Sequence, residues 1–344
     1  MTELSVLSKK ELAELIEEHS REEIPDLSVW PYSAAKKVRD SVYGNKVFVR
    51  GLVEFTSYCG RDCLYCGLRR SNMEAQRYRL RREEILFCCE AGYMLGFRSF
   101  VMQGGEDAYF TDRKLCGIVE AVRTRFPECA ITLSAGERSA ESYRALKSAG
   151  ADRYLLRHET ADPLHYSRLH PPEQTLESRK SCLYALREAG FYVGAGFMVG
   201  TPGQMPETLA EDLVFLRELQ PHMVGIGPFL PHHATPLAGE APGGISLTLL
   251  MLALTRLTLP TSLLPSTTAL ASVHPHGRVW GLEVGANVVM PNISPAEVRG
   301  AYSIYDGKLV SGSEAAEGLE RLVKELKQVG YVAEFTRGDP VKAF

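Results

Sequence analysis

Three cysteines stand at C-x3-C-x2-C spacing in Tyr58-Cys59-Gly60-Arg61-Asp62-Cys63-Leu64-Tyr65-Cys66-Gly67, directly after an apolar run that reads as a strand. Thiolates are soft ligands suited to iron–sulfur clusters. A four-iron cubane usually takes four cysteines. Three cysteines with no fourth nearby leave one iron open to another ligand. The competing chemistry is a zinc site, which needs a fourth protein ligand. Asp62 is the one candidate nearby, and no C-x2-C or H-x3-H pair follows downstream. The spacing therefore favours Cys59, Cys63 and Cys66 as ligands of a [4Fe–4S] cluster with an open iron.

Other polar residues end apolar runs in the same manner. Gln103-Gly104-Gly105-Glu106 ends one run, and Arg157-His158-Glu159 and Thr267-Thr268 end two others. Thr132 and Ser134 lie two apart on a strand, hence on one face. The two glycines let backbone approach a ligand closely. Glu159 and Arg179 suit a ribose or a zwitterion, because a carboxylate accepts hydroxyl or ammonium hydrogens and a guanidinium pairs bidentately with a carboxylate. The lesser alternative for Arg179 is a surface helix residue. Gly194 to Gly203 is glycine-rich, which gives room for an adenine or permits close packing. Arg77, Arg79, Arg81 and Arg82 read as a solvated face, with a docking patch for an acidic partner as the alternative. His232-His233 has the look of a metal pair, but neighbours on an extended chain point in opposite directions, so it reads as loop structure. Cys88, Cys89, Cys116, Cys129 and Cys182 read as structural.

The elements that must position these residues alternate. Strands are expected at 46–55, 99–103, 130–134, 153–156, 192–199, 223–229, 262–267 and 286–290. Helices are expected between most of them, at 82–95, 111–125, 139–149, 173–189, 206–219 and 246–258. Two N-terminal helices at 8–20 and 33–42 have Ser8 and Ser33 as expected caps, and a last helix falls near 313–329. This order argues for an α/β fold, a (β/α)8 TIM-type barrel, with an open six-stranded barrel as the alternative. The divisions are an N-terminal helical extension at 1–45, the barrel at 46–310, and a C-terminal helix and tail at 311–344. A barrel presents its site at the C-terminal ends of its strands, where the cysteine loop lies.

Composition bounds the partners. The chain has 344 residues and a net charge of −3, which gives no reason to expect nucleic acid or an anionic membrane. The start, Met1-Thr2-Glu3-Leu4-Ser5, lacks a basic region followed by an apolar core. The most apolar run, Leu247 to Leu259, contains Arg256 and is too short to span a bilayer. Eight cysteines in a chain this long do not suggest a disulfide framework, so a reducing, low-oxygen cytoplasm is expected.

The cysteine motif followed by Gly104-Gly105-Glu106 resembles the radical S-adenosylmethionine (SAM) superfamily. Longer strings narrow the likeness. Cys63-Leu64-Tyr65-Cys66-Gly67-Leu68-Arg69-Arg70, Gly150 to Thr160, Met223-Val224-Gly225-Ile226-Gly227-Pro228-Phe229 and Thr267-Thr268 resemble the HydE family of [FeFe]-hydrogenase maturases, from about Val47 to Gly307. The resemblance implies that Tyr65, Gly104, Gly105, Glu106, Ser134, Glu159, Arg179 and Met223 surround SAM, which the open iron chelates. It implies that Gln103, Thr132, Arg157, Thr267, Thr268 and Tyr305 line a deeper substrate cavity. Reductive cleavage of SAM would give a 5′-deoxyadenosyl radical, directed at sulfur in an iron–cysteinate complex bearing CO and cyanide. HydG would supply that complex and HydF receive the product. Some relatives carry extra C-terminal cysteines for a second cluster, whereas this chain has none after Cys182. Biotin synthase would need a second cluster inside the barrel. Methylornithine synthase, with one cluster and a polar pocket, and a non-catalytic iron–sulfur scaffold are the other readings.

Overall fold

The computed structural model describes residues 4–20 and 24–341. Nine strands form: β1 Lys46–Val49, β2 Gly51–Thr56, β3 Ser99–Gly104, β4 Ala130–Ser134, β5 Arg153–Leu155, β6 Tyr192–Val199, β7 Met223–Pro228, β8 Val288–Val289 and β9 Val332–Glu334. All their pairings are parallel. β2 to β7 form one six-stranded sheet in chain order, and β8-β1-β9 form a second. β1 and β2 are one run of chain that switches sheets at Arg50. Single parallel bridges join the two sheets, Met223 to Leu263, Pro265 to Val288, and Asn292 back to Leu52. The expected strand order is therefore present, with regular ladders within each of the two sheets and single bridges between them.

The stretch expected as a strand at 262–267 makes bridges only, for a local reason. Pro265 has no N–H to give a ladder, and the Leu264 N–H is taken by the Asn287 side chain at 2.9 Å. β8 is correspondingly reduced to two residues.

Strands buried on both faces read as continuous apolar runs, and β4 and β6 do so here. Helices Arg82–Met94, Asp112–Arg125, Ala140–Ser148, Leu176–Glu188, Pro206–Leu219 and Ile245–Thr258 follow successive strands. The last is buried over almost its whole length, which explains its apolar composition. The N-terminal helix Lys9–His19 carries the expected cap, Ser8, in a reciprocal arrangement with Glu11. The next helix, Tyr32–Tyr43, begins one residue before Ser33 and takes Pro31 at its cap position, so Ser33 does not cap it. Short helices at Pro163–Leu169, Thr268–Val273 and Gly277–Glu283 lie in stretches too short to show helical periodicity. The last long helix is Leu319–Gln328, shorter than expected because two 3-10 turns precede it. Among the described residues, no helix is long and apolar enough to cross a membrane.

The C-terminal tail closes the N-terminal mouth of the strands. Buried Arg153 donates to Arg337 O, Gly338 O and Asp339 Oδ1 at 2.6, 2.9 and 2.8 Å. This leaves the opposite face, at the strands' C-terminal ends, as the open one.

Candidate active site

Residues 57–81, between β2 and the helix Arg82–Met94, hold the three cysteines and have almost no regular structure. Side chains give the loop its shape. The Asp62 carboxylate accepts from Arg69 Nε and Nη2 at 2.9 Å each, and from Ser71 N at 3.0 Å and Ser71 Oγ at 2.7 Å. Those bonds hold its carboxyl well below the usual range, with the Arg69 bond foremost. Asp62 is thus committed to the loop, which removes the zinc ligand that the sequence left open. Arg77 spans the loop from inside. Its guanidinium donates to the carbonyls of Ser57 (2.6 Å), Leu68 (3.0 Å), Arg69 (2.8 Å) and Asn72 (3.2 Å). Arg79 pairs with Asp107 at 2.7 Å. The basic run is therefore not one uniform solvated face: Arg79, Arg81 and Arg82 are exposed as expected, whereas Arg77 is turned into the loop as a structural residue.

All eight cysteines are free. Burial raises the thiols of Cys59, Cys63 and Cys66, that of Cys63 to about 11, and each of the latter two feels its neighbours' charge. Such thiols keep their protons at neutral pH until metal replaces them. Cys88, Cys89 and Cys129 lie in the hydrophobic core, and Cys116 and Cys182 pack against it.

Gly104 ends β3, and the turn after it lies against the cysteine loop. Gly60 N donates to Glu106 O at 2.8 Å, and Glu106 N donates to Cys59 Sγ at 3.3 Å. A Cβ on Gly105 would stand 2.2 Å from Tyr58 O and 2.8 Å from Cys59 Cβ. The Gly105→Ala variant must therefore push turn and loop apart. Overpacking of this kind costs about 1–3 kcal/mol. A lower melting temperature and poorer iron uptake on reconstitution are expected, and wild-type values for both would contradict the contact.

A charge network continues from this turn. Arg61 bridges Glu106 (2.5 Å) and Glu137 (3.3 Å), and Arg179 pairs with Glu137 at 2.6 Å. Arg179 Nη1 also donates to Arg157 O at 2.9 Å. Arg179 is buried, not a surface helix residue. Ser134 stands in register with Gln103 on β3. Tyr65 OH lies 3.4 Å from His170 Nε2, whose ring stacks on Tyr166 at 3.8 Å. Burial pushes His170 down to about 3, so it is a neutral prop for Tyr65.

Deeper in, buried polar atoms lack partners: Thr132 Oγ1, Thr267 Oγ1, Arg157 Nε and Nη2, and Glu159 Oε2. Arg157 Nη2 lies 3.1 Å from Glu159 Oε2, close enough for Coulomb attraction but not aligned as a hydrogen bond. Glu159 has φ +66°, a strained value for a residue with a side chain, beside Gly196 at the Glu159–Phe197 bridge. A Cβ on Gly227 would lie 3.1 Å from Thr267 Oγ1, and one on Gly225 would lie 3.9 Å from Arg157 Cδ. These two glycines of β7 keep open the space between Arg157 and Thr267. Thr268, by contrast, donates to Glu314 Oε2 at 2.6 Å. Gln103 donates to Tyr302 OH at 3.3 Å, and Tyr305 is buried in the same stretch of chain, whose Ile304 O accepts from Gly67 N at 3.0 Å. Met223 stands apart from the cysteine loop. It is the first residue of β7, its sulfur accepts from Arg50 at 3.3 Å, and it lines an interior cavity with Thr132 and Gly225.

Sequence reasoning missed Arg61, Glu137, Gln174, His170 and Tyr302. Glu137 follows β4, and the rule that found Glu159 would have found it. Gln174 and His170 lie between two helices and carry no spacing signal. The His232 and His233 rings do not diverge. They stack at 4.4 Å because the chain turns there, with Thr235 N donating to His232 O at 3.1 Å. His232 Nδ1 accepts from Ala234 N at 3.1 Å, and His233 N donates to Asp306 Oδ2 at 2.7 Å. His233 Nδ1 and His232 Nε2 lie 2.8 and 3.7 Å from Asp306 Oδ1, so the three side chains form a group of metal-ligating types with no ion in it.

Residues 53–216 match the family model of the Radical SAM superfamily. The [FeFe] hydrogenase maturase subunit HydE of Thermotoga maritima is 45% identical over 278 residues, covering 81% of this chain and 79% of the relative. This chain belongs to the HydE family of radical SAM enzymes. A 3-methylornithine synthase of Methanosarcina acetivorans is 29% identical, covering 94% of this chain and 89% of that protein. The crystal structure of methylornithine synthase (PylB) superposes with a TM-score of 0.76 at 26% identity, covering 97% and 92% of the two chains. The hydrogenase maturase HydG shares the fold, with a TM-score of 0.76 at 18% identity, covering 96% and 77%. As a radical SAM enzyme of the HydE family, the chain works with a [4Fe–4S] cluster and SAM, and the non-catalytic scaffold reading falls away. The residues present fit both groups. Three free thiols share one loop, and Thr132 Oγ1, Thr267 Oγ1 and Arg157 Nε are buried without hydrogen-bond partners.

Proposed function

We propose that this enzyme acts in assembly of the [FeFe]-hydrogenase H-cluster, on a cysteine-derived organometallic substrate. Two facts support this reading: the 45% identity to HydE and the buried polar atoms of Thr132, Arg157, Glu159 and Thr267 that lack hydrogen-bond partners. Cys59, Cys63 and Cys66 hold the cluster. Tyr65, Gly104, Gly105, Glu106, Ser134, Glu159 and Arg179 hold SAM, with Arg61 and Glu137 fixing Glu106 and Arg179 through the charge network. Bound there, SAM and the reduced cluster would supply 5′-deoxyadenosyl radical chemistry, directed at sulfur of an iron–cysteinate substrate bearing CO and cyanide. Arg157 offers a planar donor fork to the substrate carboxylate. Thr132 and Thr267 offer hydroxyls, and Gln103, Thr268 and Tyr305 complete the wall, Thr268 through its bond to Glu314. Met223, beside Thr132, is assigned to the floor of this cavity in place of the SAM site. Thr132 and Tyr305 are buried, which shields their polar groups from water and strengthens their contacts. The enzyme receives its substrate from HydG and passes product to HydF, in the cytoplasm.

One cubane per chain sets the expected metal content. Anaerobic reconstitution should give about four irons per chain. A reproducible value near eight after removal of loosely bound iron would reveal a second ligand set.

A second reading, 3-methylornithine synthesis, draws on the alignment over 94% of the chain to the 3-methylornithine synthase. Lysine decides between the two. Reconstituted enzyme with SAM and reductant is expected to give no 3-methylornithine from lysine, and formation of that product would replace the maturase reading.

A further inference from the structure

Two N–H groups point at cysteine sulfurs of the loop from outside it. One is the backbone N–H of Glu106, 3.3 Å from Cys59 Sγ. The other belongs to a side chain. Gln174 Nε2 lies 3.5 Å from Cys63 Sγ. Gln174 is 5% exposed, and its backbone N donates to Pro171 O at 2.9 Å, just before the helix Leu176–Glu188.

The orientation of this amide is set by its other end. Asp62 N donates to Gln174 Oε1 at 3.3 Å. A backbone N–H can only donate, so the end beside it is the carbonyl; the NH2 end is then the nearer to Cys63 Sγ, at 3.5 Å, while Oε1 lies 3.9 Å from the sulfur and accepts from the protonated thiol. Asp62 is itself locked by Arg69 and Ser71, and Leu64 N donates to Leu169 O at 2.9 Å, which ties the loop to the stretch before Gln174. The donor therefore meets the sulfur from a fixed frame. A free thiol can donate or accept, whereas a metal-bound thiolate only accepts. Loading the site turns this contact into an N–H···S bond.

We propose that Gln174 sets the reduction potential of the cluster by donating that bond to Cys63. The proposal rests on Cys59, Cys63 and Cys66 as the cluster ligands, and it goes beyond that assignment. One-electron reduction adds a negative charge that spreads onto the sulfurs. A donor aimed at a sulfur favours the more negative state, so it raises the potential. Gln174 is a positioning residue and touches neither SAM nor substrate in this scheme. Reductive cleavage of SAM needs the reduced cluster, so a residue that governs its population governs how readily a given reductant can start the reaction.

Two substitutions separate tuning from anchoring. Gln174→Met keeps the volume and removes both polar ends. Gln174→Glu keeps the oxygen for Asp62 N and replaces the donor with an acceptor. Both proteins are reconstituted, assayed for iron, and titrated anaerobically with the paramagnetic signal of the reduced cluster as readout. Iron content near wild type is expected in both. At a fixed solution potential, the reduced-to-oxidised ratio should fall about fivefold in Gln174→Met, the effect of one hydrogen bond, and further in Gln174→Glu. Iron–sulfur stretching frequencies of the oxidised cluster should shift in both. Titration curves that overlay wild type, with full iron, would overturn the proposal. So would loss of the cluster from both variants in folded protein, since Gln174 would then be an anchor. Cys63→Ala serves as the reference. If it kept a full cluster, the ligand assignment would fail as well. If it lost the cluster while the Gln174 variants titrated as wild type, the tuning role alone would fail.

Discussion

Cys59→Ala, Cys63→Ala and Cys66→Ala are each expected to abolish both the [4Fe–4S] signal and reductive SAM cleavage. The three thiols sit on one loop held shut by Arg77 and by the Asp62–Arg69 pair. Asp62, the carboxylate that stands among the three cysteines, does not take the place of a missing sulfur, because it spends its oxygens on Arg69 and Ser71. Cys116→Ala is the control. Cys116 lies in the helix Asp112–Arg125, in the outer layer, and packs only against the core. It should retain full iron and full cleavage activity. Loss of the cluster in a folded Cys116 variant would refute the ligand assignment, as would its survival in any of the first three.

The second large effect is expected at Arg157. Its Nε and Nη2 are buried without hydrogen-bond partners, and Gly225 leaves room beside its Cδ. Arg157→Lys preserves the charge and the attraction to Glu159 but loses the planar fork. Truncating a buried charged hydrogen-bond partner costs about 2–5 kcal/mol, and with the charge retained the lower end applies. Iron content should be normal. SAM should still be cleaved, uncoupled from product. Hydrogenase maturation with HydF and HydG present should drop by about tenfold to a hundredfold. Maturation at the wild-type rate would exclude Arg157 from substrate recognition and leave it as the structural partner of Glu159.

Much of this was legible in the sequence because the chemistry is carried by spacing. The cysteine triad, the paired glycines before Glu106 and the polar ends of three strands all fall on one face once the strands run parallel. The strands themselves were legible where both faces are buried, as in β4 and β6. Legibility failed where side chains replace backbone ladders. Pro265 and the Asn287 amide reduce the expected seventh strand to single bridges, and no periodicity signals that exchange. It failed too where a residue's neighbours come from remote segments. Arg77 looks like one member of a basic run, yet its four acceptors lie on carbonyls of residues 57–72. Gln174 reaches Cys63 from more than a hundred residues away. Thr267 and Thr268 are indistinguishable in sequence. Only the fold separates the first, buried and unpaired, from the second, tied to Glu314.

The most direct measurement is a defined maturation assay with HydF, HydG, apo-hydrogenase, SAM and reductant, run with and without this enzyme. Active hydrogenase is expected only when the reconstituted chain is present, with 5′-deoxyadenosine formed alongside it. Equal hydrogenase activity in the two reactions would contradict a role for this enzyme in building the H-cluster.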